Sequence, residues 1–171
     1  MRISIIFIFL ALLNQAVYSD SSENIEVVNF KKIDERLAVD FIEKVNARLE
    51  WSHDNQKIFT TFQESPNLCY FAIQDTNIVG YMILRKEGQE QHLHVSYIAA
   101  DIQGLGIGTI LMHKAFCKNR KLGKSILTLH HKPENASARK FYEKIAEIEQ
   151  VRYQYEYFGP GLSSRMTYYM Y

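Results

Sequence analysis

The strongest chemical signal in this 171-residue chain is the segment Gln103-Gly104-Leu105-Gly106-Ile107-Gly108. It falls between an apolar run ending Tyr97-Ile98-Ala99-Ala100-Asp101 and a helical pattern with Ile107, Ile110, Leu111 and Ala115 on one face. At a strand-to-helix turn of this kind, backbone N–H groups converge on an anion and the helix dipole assists. Glycine suits such a turn because side chains there would hold a phosphate away from the backbone. A Walker loop is excluded, since the Gly-Lys-Ser/Thr ending is missing. A dinucleotide fingerprint wants Gly-x-Gly-x-x-Gly and an acid about twenty residues on. Here Thr109 stands at the third glycine position and Ser125 to Thr128 where the acid belongs. The remaining readings are the pyrophosphate of coenzyme A and a turn that serves packing alone.

The turn needs elements to hold it, and the sequence marks them. Ile25 to Phe30 reads as a first strand, and a helix follows from Asp34 with Leu37, Phe41, Val45 and Leu49 at helical spacing. Trp51 to Asn55 is a polar break before a short helix around Ile58 to Phe62. Strands are expected at Leu68–Ile73, Ile78–Leu84 and Gln91–Ala99, with hairpin punctuation at Asp75-Thr76-Asn77. After the glycine turn come a helix ended by Gly123 and a strand over Ser125–His130. A further helix carries Ala138, Phe141, Tyr142 and Ile145 on one face, and two tyrosine-rich strands flank Gly159-Pro160-Gly161. This order predicts an α/β sheet covered by helices on both sides.

Gln103-x-x-Gly106-x-Gly108 resembles the Gln/Arg-x-x-Gly-x-Gly/Ala signature of the GNAT acetyltransferases. Asn135, Ala138, Tyr142, Glu143 and Lys144 match a second signature of that family, Asn-x-x-Ala-x-x-x-Tyr-Glu-Lys, at the expected separation. The resemblance runs from Ile25 to the C-terminus. It implies the GNAT fold, a mixed, mostly antiparallel sheet of six to seven strands flanked by helices on both faces. In one departure, Ala146-Glu147 stands where the family has Gly-Phe.

The resemblance also implies N-acetyl transfer from acetyl-CoA directly to a primary amine, with no covalent enzyme intermediate. Backbone amides of Gln103, Gly104, Leu105, Gly106, Ile107, Gly108 and Thr109 would hold the pyrophosphate. The backbone at Ile98 and Ala100 would pair with the pantetheine arm, and Asn135 and Ala138 would lie along the cofactor. Asn135 equally fits a helix N-cap. Tyr142 matches the family's general acid toward the leaving thiolate, and it also fits an aromatic in the helix stripe. For the base, His92 lies near the place where histone-type relatives carry a glutamate. His92, His94 and Ser96 alternate on one strand face, and Glu90 lies beside them. Solvated polar residues on a half-exposed strand account for them as well. Glu50, Trp51, His53 and Tyr155 are the acceptor candidates, from the loop after the first helix and from the last hairpin. His130-His131 is expected in a solvated loop. Adjacent strand residues point opposite ways, so the pair is not read as a metal site.

Apolar residues make up 47% of the chain and charged residues 23%, as in ordinary globular domains. A formal charge of +1 offers no footprint for nucleic acid. Met1-Arg2, the apolar run Ile3–Leu13 and Val17-Tyr18-Ser19 read as a cleavable export signal over residues 1–19. A polar leader, 20–24, would follow, and then one domain over 25–171. The run is about half the ~20 residues that a membrane span needs, so no stable anchor is expected. Export separates the enzyme from an intracellular donor unless it acts where coenzyme A is available, such as inside a host cell. A later translation start would leave it cytoplasmic. The partner expected is an amine, on a small molecule, peptide or protein, and the chain a monomer or homodimer. Cys69 and Cys117 are both expected as buried free thiols.

Overall fold

The computed structural model describes residues 24–48, 54–88, 92–159 and 162–170. The export signal, most of the leader, Leu49, Glu50, Trp51, His53 and Glu90 therefore lie outside the described residues. Seven strands form one sheet: β1 Ile25–Asn29, β2 Cys69–Gln74, β3 Asn77–Lys86, β4 His92–Ala100, β5 Ile126–His131, β6 Arg152–Tyr157 and β7 Ser164–Tyr169. Their spatial order is β1-β2-β3-β4-β5-β7-β6. The β4–β5 pair is parallel and the other five are antiparallel. The helices are α1 Glu35–Asn46, α2 Asn55–Glu64, α3 Ile107–Lys121 and α4 Ala136–Glu149, with short 3-10 turns at Phe30–Lys32 and Pro66–Leu68.

An interior strand explains why both faces are covered. In β3, Tyr81-Met82-Ile83-Leu84 is buried throughout, as expected of a strand sandwiched between two helix layers. Tyr81 and Ile83 join Phe41, Ile42, Ile58 and Phe62 beneath α1 and α2. Met82 and Leu84 join Leu111, Phe116, Tyr142 and Ile145 beneath α3 and α4. Gly80, just upstream, is required by close approach: a Cβ there would meet Ile107 Cγ2 at 2.6 Å and Ala99 O at 3.1 Å. Its absence lets the start of α3 sit on the sheet.

Local chemistry sets the helix starts. Asp34 caps α1 by accepting from the Arg36 and Leu37 amides, and Asp54 caps α2 by accepting from Lys57 N. Two expected faces shift. Ala38, Phe41, Ile42 and Val45 form the buried stripe of α1, whereas Leu37 is 58% exposed. Spacings of three, four and seven from Ala38 define the face that meets the sheet, and Leu37 lies outside it. On α3 the buried residues are Ile107, Leu111, Met112, Ala115, Phe116 and Asn119, so Cys117 points outward and is exposed, contrary to expectation. Cys69 is buried, as expected. Where the family has Gly-Phe, α4 instead continues to Glu149, and Gln150 adopts the left-handed conformation, φ 54°.

A bulge in β4 shapes the middle of the sheet. Ile83 pairs with Tyr97 and Leu84 with Val95, so Ser96 is an extra residue on its strand. Upstream, His92–Val95 pairs with Ile126–Leu129 of β5. Beyond the bulge that ladder stops; β4 continues against β3 alone, while His130 and His131 pair with Arg165 and Ser164 of β7. The two strands part, and among the described residues the Ser96–Ala100 edge has no strand partner on the β5 side.

Candidate active site

The glycine turn runs off the end of this open edge. Asp101 N donates to Val79 O at 2.9 Å, the last rung of the β3–β4 ladder. Its carboxylate receives Lys44 Nζ at 2.8 Å and also Arg48 Nη1, tying the end of α1 to the turn. The Lys44 hydrogen bond leads in holding the Asp101 carboxyl below its ordinary range. Gly104 and Gly106 then take φ of 87° and 73°, where L side chains are strained. Nothing lies within 4 Å of a Cβ built on either, and Gln103, Gly104 and Gly106 are exposed, so no side chain fills the turn. Leu105 tucks partly against the core and Ile107 is buried, which anchors the turn from beneath.

Gly106 caps α3 without a side-chain hydrogen bond, and the first intrahelical bond is Ile110 N to Gly106 O. The amides of Ile107, Gly108 and Thr109 precede that bond and form the positive end of the helix dipole. At Gly108 a Cβ would stand 3.1 Å from the Phe141 ring, so this glycine lets α4 cross close to the turn. Ile98 and Ala100 are half-buried against the core on the α3/α4 face and carry the unpartnered edge.

Tyr142, one residue after Phe141, is buried, with ring centroids 5.0 Å from Phe141 and 5.8 Å from His131. Burial pushes its phenol up to about 12, so it keeps its proton throughout the physiological range. His131 is buried rather than in a solvated loop. Its Nδ1 donates to Lys132 O at 2.8 Å, which leaves Nε2 a buried acceptor with no protein partner. Tyr155 stacks on the same imidazole at 5.7 Å, lies under the Arg139 guanidinium, and donates to Ser164 Oγ at 2.8 Å. The structure thus places Tyr155 with Tyr142 on the α4 face. Asn135 caps α4, accepting from Ala138 N at 2.8 Å.

On the opposite face a cavity of about 610 Å³ opens between α2 and the bulge. His94, Ser96, Tyr97 and Arg85 line it from the sheet, and Asp54, Lys57, Thr60, Thr61 and Glu64 line it from α2. The bulge brings Ser96 and Tyr97 to the same cavity despite their being neighbours, and Ser96 Oγ is buried without a protein partner. His92, two residues upstream of His94, does not line it.

A relay holds His94. Thr128 Oγ1 donates to Glu87 Oε2 at 3.3 Å, so its lone pair receives the His94 Nδ1 proton across 2.8 Å. The remaining nitrogen, Nε2, is then an acceptor. Burial pushes the His94 imidazole down to about 4, with Glu87 opposing, so the ring is neutral at pH 7. For Glu87, burial works against ionisation, yet the basic groups beside it, His94 as it gains a proton in acid and then Arg85, together with the Thr128 hydrogen bond, keep the carboxyl low. His130 joins from β5, its ring 5.1 Å from His94. Adjacent histidines of β5 thus serve opposite faces of the sheet.

Spacing reveals none of the α2 residues at this cavity, Arg85 or Tyr97. The polar positions Gln56, Thr60 and Glu64 share a helix face, a signal that equally fits solvation.

Several solved structures, acetyltransferases among them, resemble this chain in fold. Ard1 from Thermoplasma volcanium shares 14% identity over 86% of this chain and 98% of its own, with a TM-score of 0.70. Diaminobutyrate acetyltransferase from Paenibacillus lautus, solved with L-2,4-diaminobutyric acid and coenzyme A, shares 13% over 85% and 95%, TM-score 0.68. An acetyltransferase-like protein of Salmonella typhimurium, solved with acetyl-CoA, shares 12% over 87% and 95%, TM-score 0.64. At such identities the likeness is one of fold. No curated protein sequence matches the chain. Residues 30–146, spanning both glycine turn and Tyr142, match the acetyltransferase (GNAT) family, and the chain belongs to it.

Proposed function

We propose that this protein is an N-acetyltransferase that moves an acetyl group from acetyl-CoA directly onto a primary amine. The observation that carries the reading is the open glycine turn at the end of an unpartnered strand edge. Amides at Gly104–Thr109 suit a pyrophosphate, and the Ser96–Ala100 edge suits an extended amide-bearing arm lying along it as an added strand. The buried, unpartnered His131 Nε2 beside Tyr142 is a further polar group awaiting a ligand.

When bound, acetyl-CoA supplies an activated thioester. The C–S bond breaks as the C–N bond forms; one proton leaves the amine and one is needed at sulfur. Tyr142 holds a proton on the α4 face of the parted strands, which fits it for the second role. On the other face, neutral His94 offers Nε2 as an acceptor for an ammonium or a bridging water, and the Thr128–Glu87 relay fixes its tautomer. Much of the rate would come from positioning the two reactants across the opening.

Acetyl-CoA should raise the melting temperature, and a screen of amines should then release free thiol. Stabilisation by NAD or ATP and not by coenzyme A would sink the reading. A second reading, a GNAT-fold module that binds acyl-CoA without turnover, draws support from His94, whose low affinity for protons makes it a weak base. It predicts binding and no thiol release with any amine. We further propose export, with residues 1–19 removed and action where coenzyme A is available; N-terminal sequencing should start at Asp20, and an intact Met1 ends the idea.

A further inference from the structure

On the outer face of α3, about 15 Å along the helix from the glycine turn, lies a chain of groups that acyl transfer does not use. Cys117 Sγ is 3.4 Å from His113 Nε2, and His113 Nδ1 is 2.6 Å from Glu149 Oε1 at the end of α4. Arg120 Nη1 and Nη2 donate to Glu149 Oε2 at 3.2 and 3.1 Å. An ionised carboxylate only accepts, so His113 Nδ1 must carry the proton, which leaves the Nε2 lone pair facing the thiol. The Glu149 side chain is 5% exposed against 55% for His113, so the pinned, buried end of the relay orients the solvent-facing end. Nucleophile, base and orienting acid follow one another in line, the arrangement that activates a thiol.

The surroundings act in the same direction. Helical neighbours of Cys117 three and four residues away are His113, Lys114, Arg120 and Lys121, all basic. Lys118, beside it, has its ammonium disfavoured by burial and by Lys121, Lys114 and Lys86, a sign of local positive potential. The C-terminal end of the α3 dipole opposes negative charge at this end of the helix, and the basic cluster works against that opposition. Cys117 is exposed and free, whereas burial pushes the Cys69 thiol up to about 12.

We propose that Cys117 is an activated thiol that exchanges with small disulfides bearing negative charge, with His113 as its base and Glu149 as a positioning residue. His113 Nε2 takes the thiol proton, and the thiolate attacks one sulfur of the disulfide. A Cys117 mixed disulfide forms, the original S–S bond breaks, and the departing thiolate recovers the proton from His113. Cys117 is oxidised and one half of the disulfide is reduced.

The test uses the full chain and glutathione disulfide at neutral pH, followed by intact mass and peptide mapping. One adduct should form, at Cys117 and not at Cys69. The folded protein should react about tenfold faster than the same cysteine in urea-unfolded chain, and His113→Gln should remove most of that advantage. Glu149→Gln should slow exchange about threefold with the circular dichroism unchanged. If that variant loses the α3–α4 packing, His113→Gln, altered at a half-exposed side chain, decides alone. Added salt should slow glutathione disulfide and spare neutral hydroxyethyl disulfide. Equal rates in folded and unfolded chains, or in His113→Gln and the unaltered protein, would overturn the proposal.

Discussion

The two faces of the sheet at the β4–β5 opening differ in how they are built. On the α3/α4 face the functional groups come from short contiguous motifs: the turn Gln103–Gly108 and the helix stripe around Tyr142. They work largely through backbone amides and through glycines that admit close neighbours. On the α1/α2 face the cavity is assembled from β3, β4 and α2, and β5 backs it through Thr128 and His130. Its properties depend on side chains and on one extra strand residue. Under the proposed function the first face would hold a diphosphate and a proton, a task that many acceptors can share. Under the same proposal the second, with its mixed polar and charged lining, would choose among acceptors. Common chemistry is written locally and specificity is written tertiarily, because a motif must keep its geometry while a cavity wall is free to vary.

Four perturbations sharpen that contrast or break it. The largest effect is expected from Tyr142→Phe, which should lower kcat by about 10²–10³-fold. Acetyl-CoA affinity, read by calorimetry, should be unchanged; a parallel loss of affinity would make Tyr142 a packing residue. Next comes acid. An imidazole at about 4 in the fold and about 6.5 unfolded binds fewer protons when folded, so stability is full above about pH 6.5 and drains as pH falls toward 4. The loss is about 3 kcal/mol, and urea midpoints of His94→Gln should show a shallower slope over that window. A slope that survives the substitution would assign the proton uptake elsewhere.

The glycines provide the third perturbation. Gly80→Ala forces a methyl against Ile107 and Ala99 and should cost about 1–3 kcal/mol in chemical denaturation. Gly104→Ala meets no neighbour and should cost only about 1 kcal/mol of backbone strain. Equal costs would erase the distinction between packing glycines and cradle glycines. The smallest effect is expected from Gln150→Gly, which relieves the left-handed residue after α4 and should add about half a kcal/mol. A decrease would show that the Gln150 side chain has a role of its own.

Much of this is legible in the amino-acid sequence. Asp34 was readable as the start of a helix, and the element order as a sheet covered on both sides. Two motifs at a family-specific separation pointed to the glycine turn and to Tyr142. Where legibility failed, the reason is geometric. Leu37 and Cys117 are apolar residues on helices, and which way they point depends on the rotation of a helix over its sheet. Hydrophobic spacing constrains that rotation only to within about one residue. His130 and His131 look like a solvated pair, and His130 is exposed, beside His94 of β4; His131, on the other face of the strand, is buried against Tyr142 and Tyr155. His94 and Ser96 do share a cavity, as their alternation implies; the bulge at Ser96 adds Tyr97 to it, and His92 does not line it.

By itself, then, the amino-acid sequence determined the family, the order of elements, the exposed glycine turn before α3 and the place of Tyr142 in the stripe of α4. These depend on nearest-neighbour chemistry: glycine at positive φ, amides at a helix start, apolar spacing along one stripe. Only the tertiary structure decided that β4 parts from β5, that His94 is neutral within a Thr128–Glu87 relay, and that α2 walls a cavity. The same holds for Cys117, His113 and Glu149 standing in line. Each of these requires residues tens of positions apart to meet. Burial, charge and register at such meetings are properties of the packed assembly and leave no periodic mark on the chain.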